Sequence, residues 1–221
     1  MAAIESIAKR YFKLILGLFL FAVGTVVTIN ANLGYSPWDV FHQGLGNIFG
    51  IKIGTANVIV GVSIVLIEVL RGIKPGIGTI LNMFLIGIFM NTIMTINIIP
   101  TFSNIYIRLI TIPIGMIIIG FGSYFYIGAG FGAGPRDGLM LFLLNKTDKS
   151  VRFIRNSIEI TVLLIGYLLG GPVGIGTVII SLGLGYAIQF VFNVFKFDPK
   201  KVNQRGWDEE VNSLKRIVKH L

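Results

Sequence analysis

Six stretches of this chain are apolar and close to the length of a bilayer crossing: roughly residues 11–31, 54–70, 76–97, 106–128, 153–170 and 174–195. A transmembrane helix needs about 20 residues, with a lower limit of about 17. In lipid every backbone N–H and C=O must be satisfied inside the protein, so such stretches fold as helices. The predicted fold class is therefore all-α, a polytopic transmembrane helical bundle. Composition agrees, because only 13% of residues are charged, about half the share usual in soluble domains. The breaks between spans are plain: Arg71-Gly72-Ile73-Lys74-Pro75, then Pro100, then Gly170-Gly171-Pro172.

A seven-residue pattern occurs twice. Leu33-Gly34-Tyr35-Ser36-Pro37-Trp38-Asp39 returns, 98 residues later, as Phe131-Gly132-Ala133-Gly134-Pro135-Arg136-Asp137. The same offset pairs Gly17 with Gly115, Gly24 with Gly122, Asn47 with Asn145 and Gly87 with Gly185. It also pairs Gly76-Ile77-Gly78-Thr79 with Gly174-Ile175-Gly176-Thr177. No gap is needed. Glycine, proline, aspartate and threonine matching in one register point to a duplicated unit.

Each motif opens a segment too short to span. Residues 37–48 and 135–146 would reach only about 18 Å as helices. Proline suits a first helical turn, where its missing N–H costs nothing. Ser36 is a good N-cap, and Asp39 and Asp137 lie near the positive end of the helix dipole. These short helices either dip into the bilayer or lie on its surface. Repeat 1 is expected over 8–98 and repeat 2 over 106–195, each with three spans and one short helix. Residues 196–221 form a tail whose Val211, Leu214, Ile217, Val218 and Leu221 predict an amphipathic cytoplasmic helix.

The net charge of +9 comes from basic residues at the ends of apolar stretches, so it reads as membrane orientation rather than nucleic-acid binding. With both termini cytoplasmic, Arg71, Lys74, Arg136, Lys146, Lys149, Arg152 and Arg155 also fall inside, and Lys52 is the main exception. Three spans per repeat is an odd number, so the two repeats are expected to be inverted relative to each other.

Inverted repeats with short helices entering from opposite faces resemble a transporter construction, with substrate near the midplane. Ionisable groups inside a membrane are functional candidates by default. Asp39 and Asp137 are either helix caps or the site itself. His42 is three residues after Asp39 and can share its helix face. Trp38 and Arg136 occupy matching places in the motifs, one a ring and the other a cation. Glu159 is either paired with Arg155, four residues earlier, or a coupling carboxylate, and Asn156 lies beside them. Glu68, near Arg71, reads as interfacial. Asn57, Asn82, Asn91 and Gln189 read as helix–helix glue.

No enzyme signature is present: no HExxH, no GxSxG, no P-loop. There is no cysteine, and only His42 and His220 among histidines, so no metal site and no cofactor are expected. The expected partners are the lipid bilayer and a small-molecule or ion substrate. A homo-oligomer is compatible with the sequence.

Leu33-Gly34-Tyr35-Ser36-Pro37-Trp38-Asp39-Val40-Phe41-His42-Gln43-Gly44-Leu45 and Gly132-Ala133-Gly134-Pro135-Arg136-Asp137-Gly138 resemble the YczE/YyaS/YitT family of bacterial integral membrane proteins, in its YczE-like branch. The resemblance covers nearly the whole membrane part. It implies a multi-pass protein of the bacterial cytoplasmic (inner) membrane and carries over no activity, substrate or catalytic set. The leading functional expectation is a transporter. The alternative is a non-transporting scaffold or regulator acting through the basic cytoplasmic face. Single cysteines at Tyr35 and Ala133 test the topology: an impermeant thiol reagent is expected to label them from opposite sides, and labelling of both from one side contradicts inversion.

Overall fold

The computed structural model describes residues 2–72, 75–132, 134–144, 146–149, 151–202, 206–208 and 210. Among these, all regular structure is helical. The order is α1 (Ala2–Asn30), α2 (Pro37–Phe49), α3 (Ile53–Leu70), α4 (Ile77–Ile96), α5 (Ile105–Gly128), α6 (Pro135–Leu144), α7 (Val151–Leu168) and α8 (Ile175–Val194), followed by a short 3-10 turn at Pro199–Lys201. Five helices are long and apolar enough to cross a membrane: α1 (over Ala8–Asn30), α3, α4, α5 and α8. The segment expected near 153–170 forms α7, which has 18 residues but carries Arg152, Arg155 and Glu159. The tail positions Val211 to Leu221 lie outside the described residues.

The centre of the molecule is the crossing of α1 and α5. Helices in lipid gain nothing from hydrophobic exclusion, so they associate where small residues let backbones meet. A Cβ on Gly17 would lie 2.8 Å from the Gly122 carbonyl oxygen, and one on Gly24 would lie 2.7 Å from that of Gly115. The reverse contacts hold as well, from Gly122 to Gly17 and from Gly115 to Gly24. Contacts in that order mean that α1 and α5 run antiparallel. The 98-residue offset exchanges the two contacts with each other.

The same exchange governs the helix ends. Arg10 donates through Nε to the Ala129 carbonyl (3.0 Å) and through Nη2 to that of Gly130 (3.2 Å), closing the C-terminus of α5. Arg108 does the same for α1, donating to Ala31 (2.8 Å) and Asn32. The last carbonyls of a helix have no partner within it and carry negative partial charge, which a guanidinium satisfies twice over. Both chains then turn through left-handed residues, Asn32 (φ 51°) and Gly34 (φ 104°) in one half, Gly130 (φ 71°) and Gly132 (φ 108°) in the other. Gly34 and Gly132 have no Cβ to disfavour that conformation.

The turns supply the N-termini of α8 and α4. The Leu33 carbonyl accepts from Gly176 N–H (2.6 Å) and the Phe131 carbonyl from Gly78 N–H (2.8 Å). Thr177 and Thr79 hydroxyls accept from Gly174 and Gly76 N–H at 3.2 and 3.3 Å. So each motif is held by a helix of the other half of the chain. α4 packs on α1, and α8 on α5.

The short α2 is an interior helix rather than a surface one. Pro37, Trp38, Asp39, Val40, His42, Gly44 and Gly46 are buried, and α2 is wedged between α7 and α3. Its N-cap is Ser36, whose hydroxyl accepts from Asp39 N–H at 3.3 Å. The 10-residue α6 packs on α3, α7 and α4.

Gly24→Leu places a branched side chain against the α5 backbone and is expected to lower stability by about 3 kcal/mol or more, the upper range for overpacking. Leucine at the exposed Gly185, which has no atom within 4 Å of its Cβ position, is expected to be neutral. Thermal unfolding of both variants in detergent checks this.

Candidate functional site

Trp38 and Asp39 lie in the first turn of α2, where Pro37 fixes the backbone. Arg136 holds the matching place in α6. Its guanidinium stacks over the Trp38 ring, 4.7 Å from the centroid, and its Nη2 donates to Asn57 Oδ1 on α3 (3.2 Å). Cation–π contacts gain when desolvated, up to about 2 kcal/mol. Trp38 Nε1 in turn donates to Glu159 Oε1 on α7 (3.1 Å). Four helices thus meet through one chain of contacts, Asn57 to Arg136 to Trp38 to Glu159.

Asp39 faces the same centre and is 6% exposed. It accepts a hydrogen bond from the Ser36 hydroxyl. His42, 1% exposed, brings Nδ1 to 3.7 Å from Asp39 Oδ1, too long for a hydrogen bond. That nitrogen has no hydrogen-bond partner among the described residues. Burial raises the Asp39 carboxyl, but His42, Arg136 and the Ser36 hydroxyl lower it by more, so it sits below the ordinary carboxylate range. Burial drives the His42 imidazole down, with Asp39 opposing and Arg136 assisting.

Asp39 and Arg136 open onto a cavity of about 30 Å³. Thr25 and Thr28 of α1, Ser36 and Asn57 supply its other polar lining, and Phe21, Ile86, Ile119 and Leu184 are among its apolar walls. The threonine hydroxyls donate to their own helix, at Phe21 and Thr25 carbonyls (2.9 and 2.8 Å), which leaves lone pairs for a guest. A volume of this size holds one or two waters or a bare ion.

Of the residues singled out in the sequence, Trp38, Asp39, His42, Arg136 and Glu159 gather here. Asn156 does not: it is exposed on α7. The side chain of Asp137 lies outside the described residues. Glu159 turns to Trp38 rather than to Arg155. Asn57 proves to be a ligand of Arg136, and Asn91 does bind helices together, accepting from Gly54 N–H (3.0 Å) and donating to Thr55 Oγ1 (3.0 Å). Glu68, read as interfacial from its place near the end of α3, is covered within the protein. Its side chain is 2% exposed because α6 covers it, with Gly138 seated against the carboxylate.

The family profile of DUF6198, a family of unknown function, matches residues 8–193. The chain belongs to this family. The matched region takes in all eight helices apart from the ends of α1 and α8, and stops before the tail. The uncharacterized membrane protein YczE of Bacillus subtilis is 36% identical over 84% of this chain and 86% of its own length. An uncharacterized protein of Haemophilus influenzae is 33% identical over 84% of each chain. The uncharacterized protein YyaS of Bacillus subtilis is 26% identical over 83% of this chain and 92% of its own. No solved structure matches the chain. These likenesses agree with the family resemblance carried by the two motifs, and make the chain an integral membrane protein.

A double-mutant cycle tests the Trp38–Glu159 bond. Trp38→Phe and Glu159→Gln together are expected to cost less than the sum of the two single changes by about 1 kcal/mol, read from thermal or denaturant unfolding in detergent.

Proposed function

We propose that this protein is a small-molecule or ion transporter of the bacterial cytoplasmic membrane, with its substrate site at the central cavity. One observation supports the reading: charged side chains from both motifs, Asp39 and Arg136, meet on one small cavity that several hydroxyls also line. Ionisable side chains inside a membrane domain are rare and are functional candidates by default.

The rest of the architecture is read with it. α7 is taken as the sixth span, with Glu159 turned to the protein and the exposed Arg155 toward the cytoplasmic edge. The halves 8–98 and 106–195 are taken as inverted repeats. The exchange of Gly17–Gly122 for Gly24–Gly115, and of Arg10–Ala129 for Arg108–Ala31, supports that relation. Trp38 and Arg136 are themselves 98 residues apart, as are Phe21 and Ile119, and Ile86 and Leu184, all on the cavity or touching its lining. The site would then lie on the axis relating the repeats, where alternating access has its pivot. Both termini are placed in the cytoplasm by the distribution of lysine and arginine. No enzymatic chemistry, cofactor or resident metal is part of this reading.

The test is an uptake and ligand-binding screen in proteoliposomes. For any substrate found, Asp39→Asn and Arg136→Gln are each expected to lower uptake about tenfold or more, the effect of losing one charged contact worth ~1.4 kcal/mol. Uptake unchanged in both variants places the substrate elsewhere. A protein that transports and binds nothing in the screen favours the scaffold alternative.

A further inference from the structure

Glu68 lies two residues before the end of α3, where sequence reasoning expects a carboxylate to reach the membrane surface. Instead α6 closes over it. The side chain is 2% exposed and Oε1 has no hydrogen-bond partner among the described residues. A Cβ at Gly138 would run into the carboxylate, so the absence of a side chain there is what lets α6 sit so close. The Gly138 N–H offers nothing to it, because it donates to the Gly134 carbonyl (3.1 Å). In the second half the matching contact is Gly166 against the backbone at Val40 and Phe41. Where α7 has glycine at its crossing with α2, α3 has a carboxyl group at its crossing with α6.

The charged groups around Glu68 are few. Arg71, three residues on, points to the Phe142 ring (5.9 Å). α4 carries no titratable residue. On α6, Arg136 is turned to Trp38 and Asn57, and Asp137, adjacent to Gly138, has its side chain outside the described residues, as does Lys74 beyond α3. From α2, Asp39 and His42 belong to the cluster around Asn57, about 16 Å away along α3. A buried carboxylate oxygen with no donor among the described residues disfavours the charged form, whereas the neutral acid is tolerated.

We infer that Glu68 is a proton-binding site, and that its ionisation unseats α6 from α3 and so moves Arg136 at the central cavity. This rests on reading that cavity as the substrate site. α6 is a short helix whose first turn carries Arg136 and whose second carries Gly138. Any displacement at Gly138 is passed to the guanidinium one residue pair away. With the acid form, α6 is seated as described here. With the carboxylate, water or a cation must reach Glu68, and the α3–α6 contact is the one that opens.

The chain has no cysteine, so spin labels go where they are wanted. Leu70→Cys on α3 and Leu143→Cys on α6 are labelled in the full chain in proteoliposomes, and double electron–electron resonance is recorded at about pH 5 and about pH 9, either side of the range in which perturbed carboxyls titrate. The expected result is a short-distance population at acid pH that is lost at alkaline pH, and that persists at both in Glu68→Gln. A control pair at Leu66 and Phe84, on α3 and α4, is expected not to move. An unchanged distribution in the parent pair, or the same loss in Glu68→Gln, overturns the inference. Should Glu68→Gln fail to insert, Asp137→Asn, His42→Gln and Glu159→Gln decide the point: a loss that survives all three supports Glu68 as the titrating group, and a loss abolished by any of them overturns it. The readout needs no substrate, so its outcome is separate from that of the uptake screen.

Discussion

Everything in this molecule hangs on four glycines at which two antiparallel helices touch backbone to backbone. Without a hydrophobic drive between helices in lipid, α1 and α5 need close contact over a long stretch. Gly17, Gly24, Gly115 and Gly122 provide it at two levels. Once that crossing is set, α4 and α8 pack on its flanks, and Leu14, Leu18, Ala22 and Val26 fill one side while Ile112, Met116 and Ile180 fill the other. The motifs follow directly from the C-termini of the crossed pair, so the crossing angle and height also set where α2 and α6 begin.

Broken helices inside a membrane leave polar backbone groups that water cannot satisfy. The chain solves this by exchange. Arg10 and Arg108 close the C-termini of α5 and α1, and the turn carbonyls of Leu33 and Phe131 are taken by the N-termini of α8 and α4. Every such bond joins one half of the chain to the other. Neither half can therefore complete its own backbone hydrogen bonding, and the two cannot be separated without exposing several unpaired groups. At one end a further contact is added: Glu210, fully buried, lies 3.7 Å from Arg10.

Much of this was legible in the sequence, and the reasons for the rest are physical. Proline at the first turn and serine before it gave the start of α2 to the residue, and glycines in a common register marked the positions of closest approach. What the register alone does not say is which glycine meets which, because that depends on the antiparallel sense of the crossing. Arg10 and Arg108 match at the same offset but sit beside charged or polar ends, where a basic residue reads as topology. Glu68 has the position of an interfacial residue, and only the short α6 laid across it makes it a buried one. Asn156 is only three residues before Glu159 on α7, yet it is exposed while the longer Glu159 side chain reaches Trp38. The short segments had two readings relative to the bilayer, and what the structure adds is that seven residues of α2 are buried among its neighbours.

The contact between Arg136 and Trp38 joins two positions that are equivalents of each other. Two identical chains meeting in this way would have to set ring against ring or cation against cation at that point. Like charges there would repel in a poorly screened interior, and two indoles would compete for one space. Halves that are free to differ can put a guanidinium over an aromatic face there. The covalent link between the halves therefore does more than hold them together. It permits an unlike pair, with one cationic side and one side tied to Glu159, where two positions 98 residues apart meet.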